Sequence, residues 1–441
     1  MPEKVSAIIR QLKSAGYDAY AVGGCVRDSV LGRTPHDWDI TTSARPQQVK
    51  AVFGHTIDTG IQHGTVTVML DHEGFEVTTY RIDGEYEDAR HPKSVEYTLN
   101  LRDDLKRRDF TINAMAYNED AGLVDAFDGR GDLKRGVIRC VGDPEERFTE
   151  DALRMLRAVR FAAQLGFSIE ENTERAIRKL APNLARISAE RIQAELVKLL
   201  ISPHPEMMRT VWETGIADVI LPEFSAMMVC EQKNPHHRGT VGEHTIWSLQ
   251  AVPATKVLRL AMLFHDVAKP ACRTEDADGL HHFHGHPAMG AEMTRRILRR
   301  LKFDNDTIRR VTALVKGHDD RPYPLTERAV RRAILRNGQE AYPDLFEVKR
   351  ADILAQSDYR QQEKLQYVEE YRRIYGQILA GHQCLTMKDL AVTGKDLIEA
   401  GMKPGKELGA VLKQMLEAVV DDPRLNTKEI LLERFQKEWK K

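Results

Sequence analysis

The 441-residue sequence has no uninterrupted run of 18 apolar residues, so no transmembrane helix and no membrane partner are expected. It has only five cysteines (Cys25, Cys140, Cys230, Cys272 and Cys384), scattered, odd in number and without a CxxC pair. That pattern excludes a disulfide framework and a thiolate zinc site, and it fits a reduced, cytoplasmic protein. Net charge is missing too: 65 Lys+Arg against 66 Asp+Glu leaves −1. A uniformly basic nucleic-acid binder and an acidic disordered tail are thereby excluded, and any site for a polyanion must be a local patch. The N-terminal MPEKVSAIIRQLKSAG lacks the apolar core of a signal peptide and reads as an amphipathic helix. Internal repeats and low-complexity segments are absent.

What is present is a chain long enough for about three domains at roughly 150 residues each, with a 42% hydrophobic fraction. Short β-rich runs predict strands at Asp18–Val22, Trp38–Ile40, Thr65–Leu70, Phe75–Tyr80 and Val137–Val141. From Thr149 onward apolar residues recur at three- and four-residue steps, which predicts helices. Thr149 is the expected N-cap of the first, with Glu150 and Asp151 at its start and Gly166 at its stop. Val229–Thr240 and Glu275–Gly285 read as polar breaks in the helical part. The fold class is therefore α+β, a small head followed by an all-helical body.

The densest chemistry lies in residues 21–44, AVGGCVRDSVLGRTPHDWDITTSA. Asp37 and Asp39 are two apart on an expected strand, so both carboxylates leave one face, where they can bind one or two Mg²⁺ ions and hold nucleotide phosphates. Gly23 and Gly24 sit between a strand and a helix, where missing Cβ atoms let a polyphosphate approach the backbone. Arg27 follows one turn later, placed to pair with a phosphate. Glu76 is either a third carboxylate or a charge on an edge strand.

GGCVRD, DWDITT, RRDFTINAMAY (107–117) and EDALRMLRAVRF (150–161) stand in the order that resembles bacterial-type tRNA nucleotidyltransferases, the class II CCA-adding enzymes, whose head is shared with bacterial poly(A) polymerases. The resemblance implies a mixed sheet of the DNA polymerase beta-like type and template-free nucleotidyl transfer. It implies that Asp37 and Asp39 hold Mg²⁺, that Gly24 and Arg27 contact the triphosphate and that Arg108 adds a nucleotide contact. Asp109 and Asn113 then brace the site or read the ribose.

Asp151 and Arg154 are i,i+3 neighbours, offering an acceptor beside a donor fork. Cytosine and adenine both present an amino donor next to a ring-nitrogen acceptor; guanine and uracil present the reverse. An unmet buried polar group costs about 1–3 kcal/mol, so such a pair discriminates. In the resembling family these positions read the incoming base. Arg157 and Arg160 extend the cationic stripe, Arg160 toward either phosphate or the fold itself. Residues 81–106 are long and charged; the family has a loop here that helps the switch from adding C to adding A. Its signature stands as Asp83, Asp88, Arg90 and Pro92, with His91 where Arg is more usual, and it argues for full CCA addition.

Many of the 16 histidines lie in the second half. His265 and Asp266 interrupt the apolar VLRLAMLFHDVAKP, where two adjacent polar residues are expensive to bury unpaired and a metal would satisfy both. With His244, His286, His318 and Asp352 the series resembles the HD phosphohydrolase superfamily. That resemblance implies one or two divalent transition-metal ions or Mg²⁺ acting on a phosphoester. The substrates it leaves open are cyclic phosphates, terminal phosphates and nucleotides. The rival reading is an HD fold kept as scaffold, with His282 and His284 as surface residues.

Two basic clusters, Arg295, Arg296, Arg299, Arg300 and Lys302, then Arg328, Arg331, Arg332 and Arg336, are spaced for stripes on helix faces that could meet RNA phosphates. The expected layout is a nucleotidyltransferase head (1–145), a helical nucleotide-selecting neck (146–225), an HD-like domain (226–375) and a helical tRNA-binding tail (376–441). The expected partners are the tRNA 3′ end and acceptor arm, CTP and ATP. Three alternatives stand beside this: a poly(A) or partial-specificity polymerase, a metal-dependent phosphohydrolase with an RNA-docking head, and a non-catalytic RNA binder.

Overall fold

The computed structural model describes residues 1–35, 37–84 and 95–439. The chain forms two compact units, Met1–Pro222 and Glu223–Lys441. In the first, strands β1 (Ala19–Val22), β2 (Ile40–Thr42), β3 (Thr56–Gly60), β4 (Thr65–Leu70), β5 (Glu73–Thr79), β8 (Met115–Asn118) and β9 (Gly122–Asp125) make one sheet in the order β3-β4-β5-β2-β1-β8-β9. Two further strands, β6 (Arg81–Asp83) and β7 (Val95–Tyr97), pair apart from it. The sheet is mixed because β2 and β5 run parallel while their other neighbours are antiparallel. Val66, Val68 and Val77 alternate into its buried face, and the amphipathic helix Glu3–Ser14 covers β1 with Val5, Ile8, Ile9 and Leu12.

Two expectations shift here. The aspartates of DWDITT precede β2 instead of lying on it, because the strand begins at Ile40, the first residue with a buried apolar side chain to pair against β1. The helix expected from Glu150 begins at Leu153. Thr149 lies inside the preceding helix Pro144–Glu150 and donates its hydroxyl to the Glu145 carbonyl, so it caps nothing. Asp151 is the joint between the two helices, with φ −142° and ψ 103°. Gly166 ends the second helix in the left-handed region as expected. That helix, Leu153–Leu165, packs on Ala189–Leu200 through a buried stripe including Leu156, Val159 and Phe161.

The second unit is helical. Val241–Ala251, Lys256–Phe264, His286–Arg300, Asn305–Gly317 and Tyr342–Ala355 pack together. The polar break at 275–285 carries a small hairpin, Thr274–Glu275 against His281–His282. The C-terminal helices close on an apolar cluster of their own, including Leu397, Met415, Val419 and Leu431. No helix among the described residues is long and apolar enough to cross a membrane, and all five cysteines are free.

Candidate functional site

Between β1 and the helix Gly24–Val30 the chain turns at Gly23, with φ +84°. A Cβ there would stand 2.9 Å from Nη1 of Arg108, while a Cβ on Gly24 would meet only Nη2 of Arg27, at 3.7 Å. The glycine pair thus lies against two guanidinium groups. Arg108 is oriented from behind by the fully buried Asp104, 3.9 Å away. That carboxylate also accepts from Arg107 Nε and Nη2 at 3.0 and 2.8 Å and from the Thr41 hydroxyl at 3.0 Å. Arg27 donates to both oxygens of Asp28 and, at 2.7 Å, to Asn113 Oδ1. Sequence reasoning passed over Asp104, although its i,i+3 and i,i+4 spacing to the arginine pair was visible.

The carboxylates stand next to this cradle. Asp39 still accepts a backbone bond from Val22 at 3.0 Å, so it continues the β2 line. The parallel register Ile40↔Val77, carried back one residue, sets Glu76 beside Asp39. Because β5 lies between β4 and β2, Glu76 is on an internal strand and not an edge. Burial raises the Asp39 carboxyl above its ordinary value and Asp37 raises it further, against the pull of Arg108. The three carboxylates thus concentrate negative charge beside the cradle.

Behind the cradle runs a braced network. Asp109 accepts from Arg157 at 2.9 and 2.6 Å and from Asn113 Nδ2 at 3.1 Å, which links Arg157 to Arg27. Burial would raise its carboxyl, yet Arg157 and Asn113 hold it far below the usual range. Arg160 is buried, donates to Glu195 and Gln164 at 2.8 Å each and lies 3.5 Å over the Phe161 ring, so its charge serves the fold. Of the expected base-reading pair, Arg154 is held by Glu150 at 2.6 Å and by the carbonyls of Arg147 and Arg107. Asp151 accepts from Leu153 N at 3.0 Å and from Arg191 at 2.6 Å. The two remain one turn apart through the bond from Arg154 N to the Asp151 carbonyl, 3.0 Å.

In the second unit all six expected residues meet, and all are buried. His244 Nε2 lies 3.2 Å from His265 Nε2 and 2.9 Å from Asp352 Oδ1. His286 Nε2 lies 3.2 Å from His318 Nε2 and 3.3 Å from Asp266 Oδ1. Asp266 belongs to both possible ligand groups, His244–His265–Asp266 and Asp266–His286–His318. The Nδ1 atoms of His265, His286 and His318 lie 2.7, 2.8 and 2.7 Å from the carbonyls of Met262, Phe283 and Val315. A proton on each Nδ1 leaves the Nε2 lone pairs of these three histidines facing into the cluster. Lys269, which the sequence reading missed, stands 2.7 Å from Asp266 Oδ2. A buried lysine, Lys349, donates to the carbonyls of Gly317, His318 and Asp320, and burial brings its ammonium down to about 8. A cavity of about 700 Å³ opens over the cluster and is lined also by Lys269, Arg321 and Lys364. His282 pairs with Asp276 at 2.7 Å and stacks with His284 outside the cluster.

Several arginines of the basic stripes pair with carboxylates. Arg328 and Arg332 both clasp Asp421, and buried Arg331 donates to the Val420 carbonyl at 2.7 Å. Arg336 pairs with Asp320, Arg300 with Glu223 and Arg295 with Glu292. Arg296 and Arg299 are exposed. Of the loop signature, Asp88, Arg90, His91 and Pro92 lie outside the described residues, and only the backbone of Asp83, ending β6, is described.

The Poly A polymerase head domain profile matches residues 19–139. The profile described as "Probable RNA and SrmB- binding site of polymerase A" matches 166–228, and that of tRNA nucleotidyltransferase domain 2 matches 286–435. The CCA-adding enzyme of Lactiplantibacillus plantarum is 37% identical over 432 residues, spanning 97% of this chain and 94% of the relative. That of Leuconostoc mesenteroides is 56% identical over 194 residues, 44% of this chain and 48% of the relative. Among solved structures, the Bacillus stearothermophilus CCA-adding enzyme in complex with CTP aligns over 100% of both chains, with 32% identity and a TM-score of 0.72.

Proposed function

The chain belongs to the CCA-adding enzymes, a family of tRNA nucleotidyltransferases, and on that premise we propose which of its residues carry the reaction. It adds CCA to the 3′ end of tRNA from CTP and ATP. The tRNA 3′-hydroxyl attacks the α-phosphate, a new P–O bond forms, and pyrophosphate leaves. The family uses divalent metal ions; here Asp37, Asp39 and Glu76 are the residues to hold Mg²⁺. When bound, that ion neutralises phosphate charge and favours the attacking alkoxide. The polyphosphate lies over Gly23–Gly24 against Arg108 and Arg27, whose guanidinium groups offset the charge of the departing pyrophosphate. Asp109, Asn113, Arg157 and Arg160 act behind them: the first three lock Arg27 and the helix Leu153–Leu165 together, and Arg160 supports that helix. Asp151 and Arg154 read the amino group and ring nitrogen of C or A.

The observation that carries this reading is the position of Arg108, against Gly23 and within the electrostatic reach of Asp39. Its test is a tRNA lacking CCA, supplied with CTP and ATP separately and together. The wild type should extend it to CCA only with both. Asp39→Ala should abolish incorporation while tRNA binding stays within about twofold; retained turnover would remove Asp39 from the site.

A second reading belongs to the second unit. We infer that His244, His265, Asp266, His286, His318 and Asp352 hold one or two divalent ions, with Asp266 shared, supported by the facing Nε2 pairs at 3.2 Å. Mn, Fe, Ni, Zn and Mg all accept this imidazole–carboxylate set. Such ions supply electrophilic activation of a phosphoester and of water. Lys269, Arg321 and Lys364 give the adjoining cavity a cationic lining suited to a phosphoryl group.

A further inference from the structure

We propose that Arg191 is a positioning residue for nucleotide selection: from the helix Ala189–Leu200 it fixes the Asp151 carboxylate in the one orientation that accepts the amino group of C or A. The inference rests on the reading of Asp151 and Arg154 as the base-reading pair.

Asp151 is not on a helix. It sits in extended backbone at the joint between Pro144–Glu150 and Leu153–Leu165. Packing against a preceding turn therefore does not set its side chain, and the carboxyl torsion of an aspartate is intrinsically broad. Two contacts remove that freedom. Oδ1 accepts the Leu153 N–H at 3.0 Å, and Oδ2 accepts Nη2 of Arg191 at 2.6 Å. The first comes from a single backbone N–H that either oxygen of the carboxylate can meet, so alone it leaves two arrangements. The second comes from another helix, itself packed along Leu153–Leu165, and pins the group against a fixed frame. Both side chains are largely covered, at 22% exposure for Arg191 and 16% for Asp151, so the ion pair is partly shielded from water.

The chemistry of selection makes this orientation matter. With one donor on each oxygen, the carboxylate keeps lone pairs for a further donor in defined directions. Cytosine and adenine bring an exocyclic amine to one place on the pairing edge; guanine and uracil bring a ring N–H to a different place. A freely turning carboxylate can follow either donor, whereas a fixed one leaves the ring N–H of the wrong base unmet, and that unmet group supplies the discrimination. Arg154 needs no such help from afar, since Glu150 and two carbonyls already hold it.

The test compares ATP with purine riboside triphosphate, which lacks the amino group, in primed tRNA ending in CC. In Arg191→Gln, kcat/KM for ATP should fall about tenfold, the cost of one charge-assisted contact set loose. The analogue should change less than about twofold, and misincorporation of GTP should rise. Arg191→Lys should recover part of the ATP rate, because it restores a donor without the rigid fork. An equal fall for ATP and the analogue in both variants would make Arg191 a support of the helices only and overturn the proposal. So would an unchanged ATP-to-analogue ratio. Asp151→Asn run in parallel separates the two layers. If it changes the ratio and the Arg191 variants do not, positioning fails alone. If it does not change the ratio, the base-reading pair fails and takes this inference with it.

Discussion

At Gly23 one backbone torsion and one neighbouring side chain meet. A φ of +84° is strained for any L side chain, and a Cβ there would stand 2.9 Å from the tip of Arg108, which would have to shift. Gly24 has neither constraint, being helical and open but for Arg27 at 3.7 Å. Gly23→Ala should therefore cost stability, about 1–3 kcal/mol for the strained torsion alone, together with CTP incorporation. Gly24→Ala should keep its melting temperature and lose incorporation, because the added methyl stands in the path of the phosphates. Thermal melts paired with CTP kinetics separate the two effects; equal losses of stability would refute the distinction. The sequence showed that a glycine pair follows a strand. It could not show which glycine is required by torsion and which by the ligand, since Arg108 arrives from a segment far along the chain.

Among helices, the arginines spaced at three and four residues show what periodicity leaves open. The spacing correctly puts Arg328, Arg332 and Arg336 on an exposed flank of Glu327–Asn337, but it is silent on what lies opposite. Opposite lies the end of Lys406–Asp421, where Asp421 engages Arg328 and Arg332 and the Val420 carbonyl engages Arg331, while Arg336 turns to Asp320. Arg331 is the buried member. Arg331→Met should lower the stability of the chain to urea by about 2 kcal/mol, the cost of a buried carbonyl left unmet. Arg328→Ala, an exposed ion pair, should change it little. Neither should lower tRNA affinity or its salt dependence in proportion to the lost charge; a drop in the salt slope of about one per arginine would restore the RNA-facing stripe. The same limit explains the misplaced start at Thr149. Acidic residues after a threonine form a start signal, yet Glu150 and Asp151 instead end one helix and join it to the next.

For the whole molecule, the balance of 65 basic and 66 acidic residues has a structural account. Much of the charge is paired across elements, as in Arg157–Asp109, Arg160–Glu195, Arg300–Glu223 and Arg332–Asp421. The excess of ligating groups in the second unit gives a prediction of its own. The purified full chain should retain one or two equivalents of a divalent metal by elemental analysis, and His265→Ala should lose most of it while keeping CCA addition. Chelation should lower the wild-type unfolding temperature by more than that of His265→Ala, which keeps only the carboxylate site of the head, since a bound ion stabilises the folded state by mass action. Absence of metal from the wild type after reconstitution would dismiss the second centre. The sequence by itself determined the inventory: the glycine turn, the carboxylates, the Asp151–Arg154 pair and six metal-type side chains in recognisable order, because local spacing records them. Only the tertiary structure decided their partners. Arg191 on Asp151, Arg160 given to Glu195 and the arginines clasping Asp421 depend on how elements pack, whereas Asp104–Arg108 and Lys269–Asp266 are local pairs that spacing already allowed. Most of those pairings join residues distant in the chain, and no period within one helix or strand encodes what will face it.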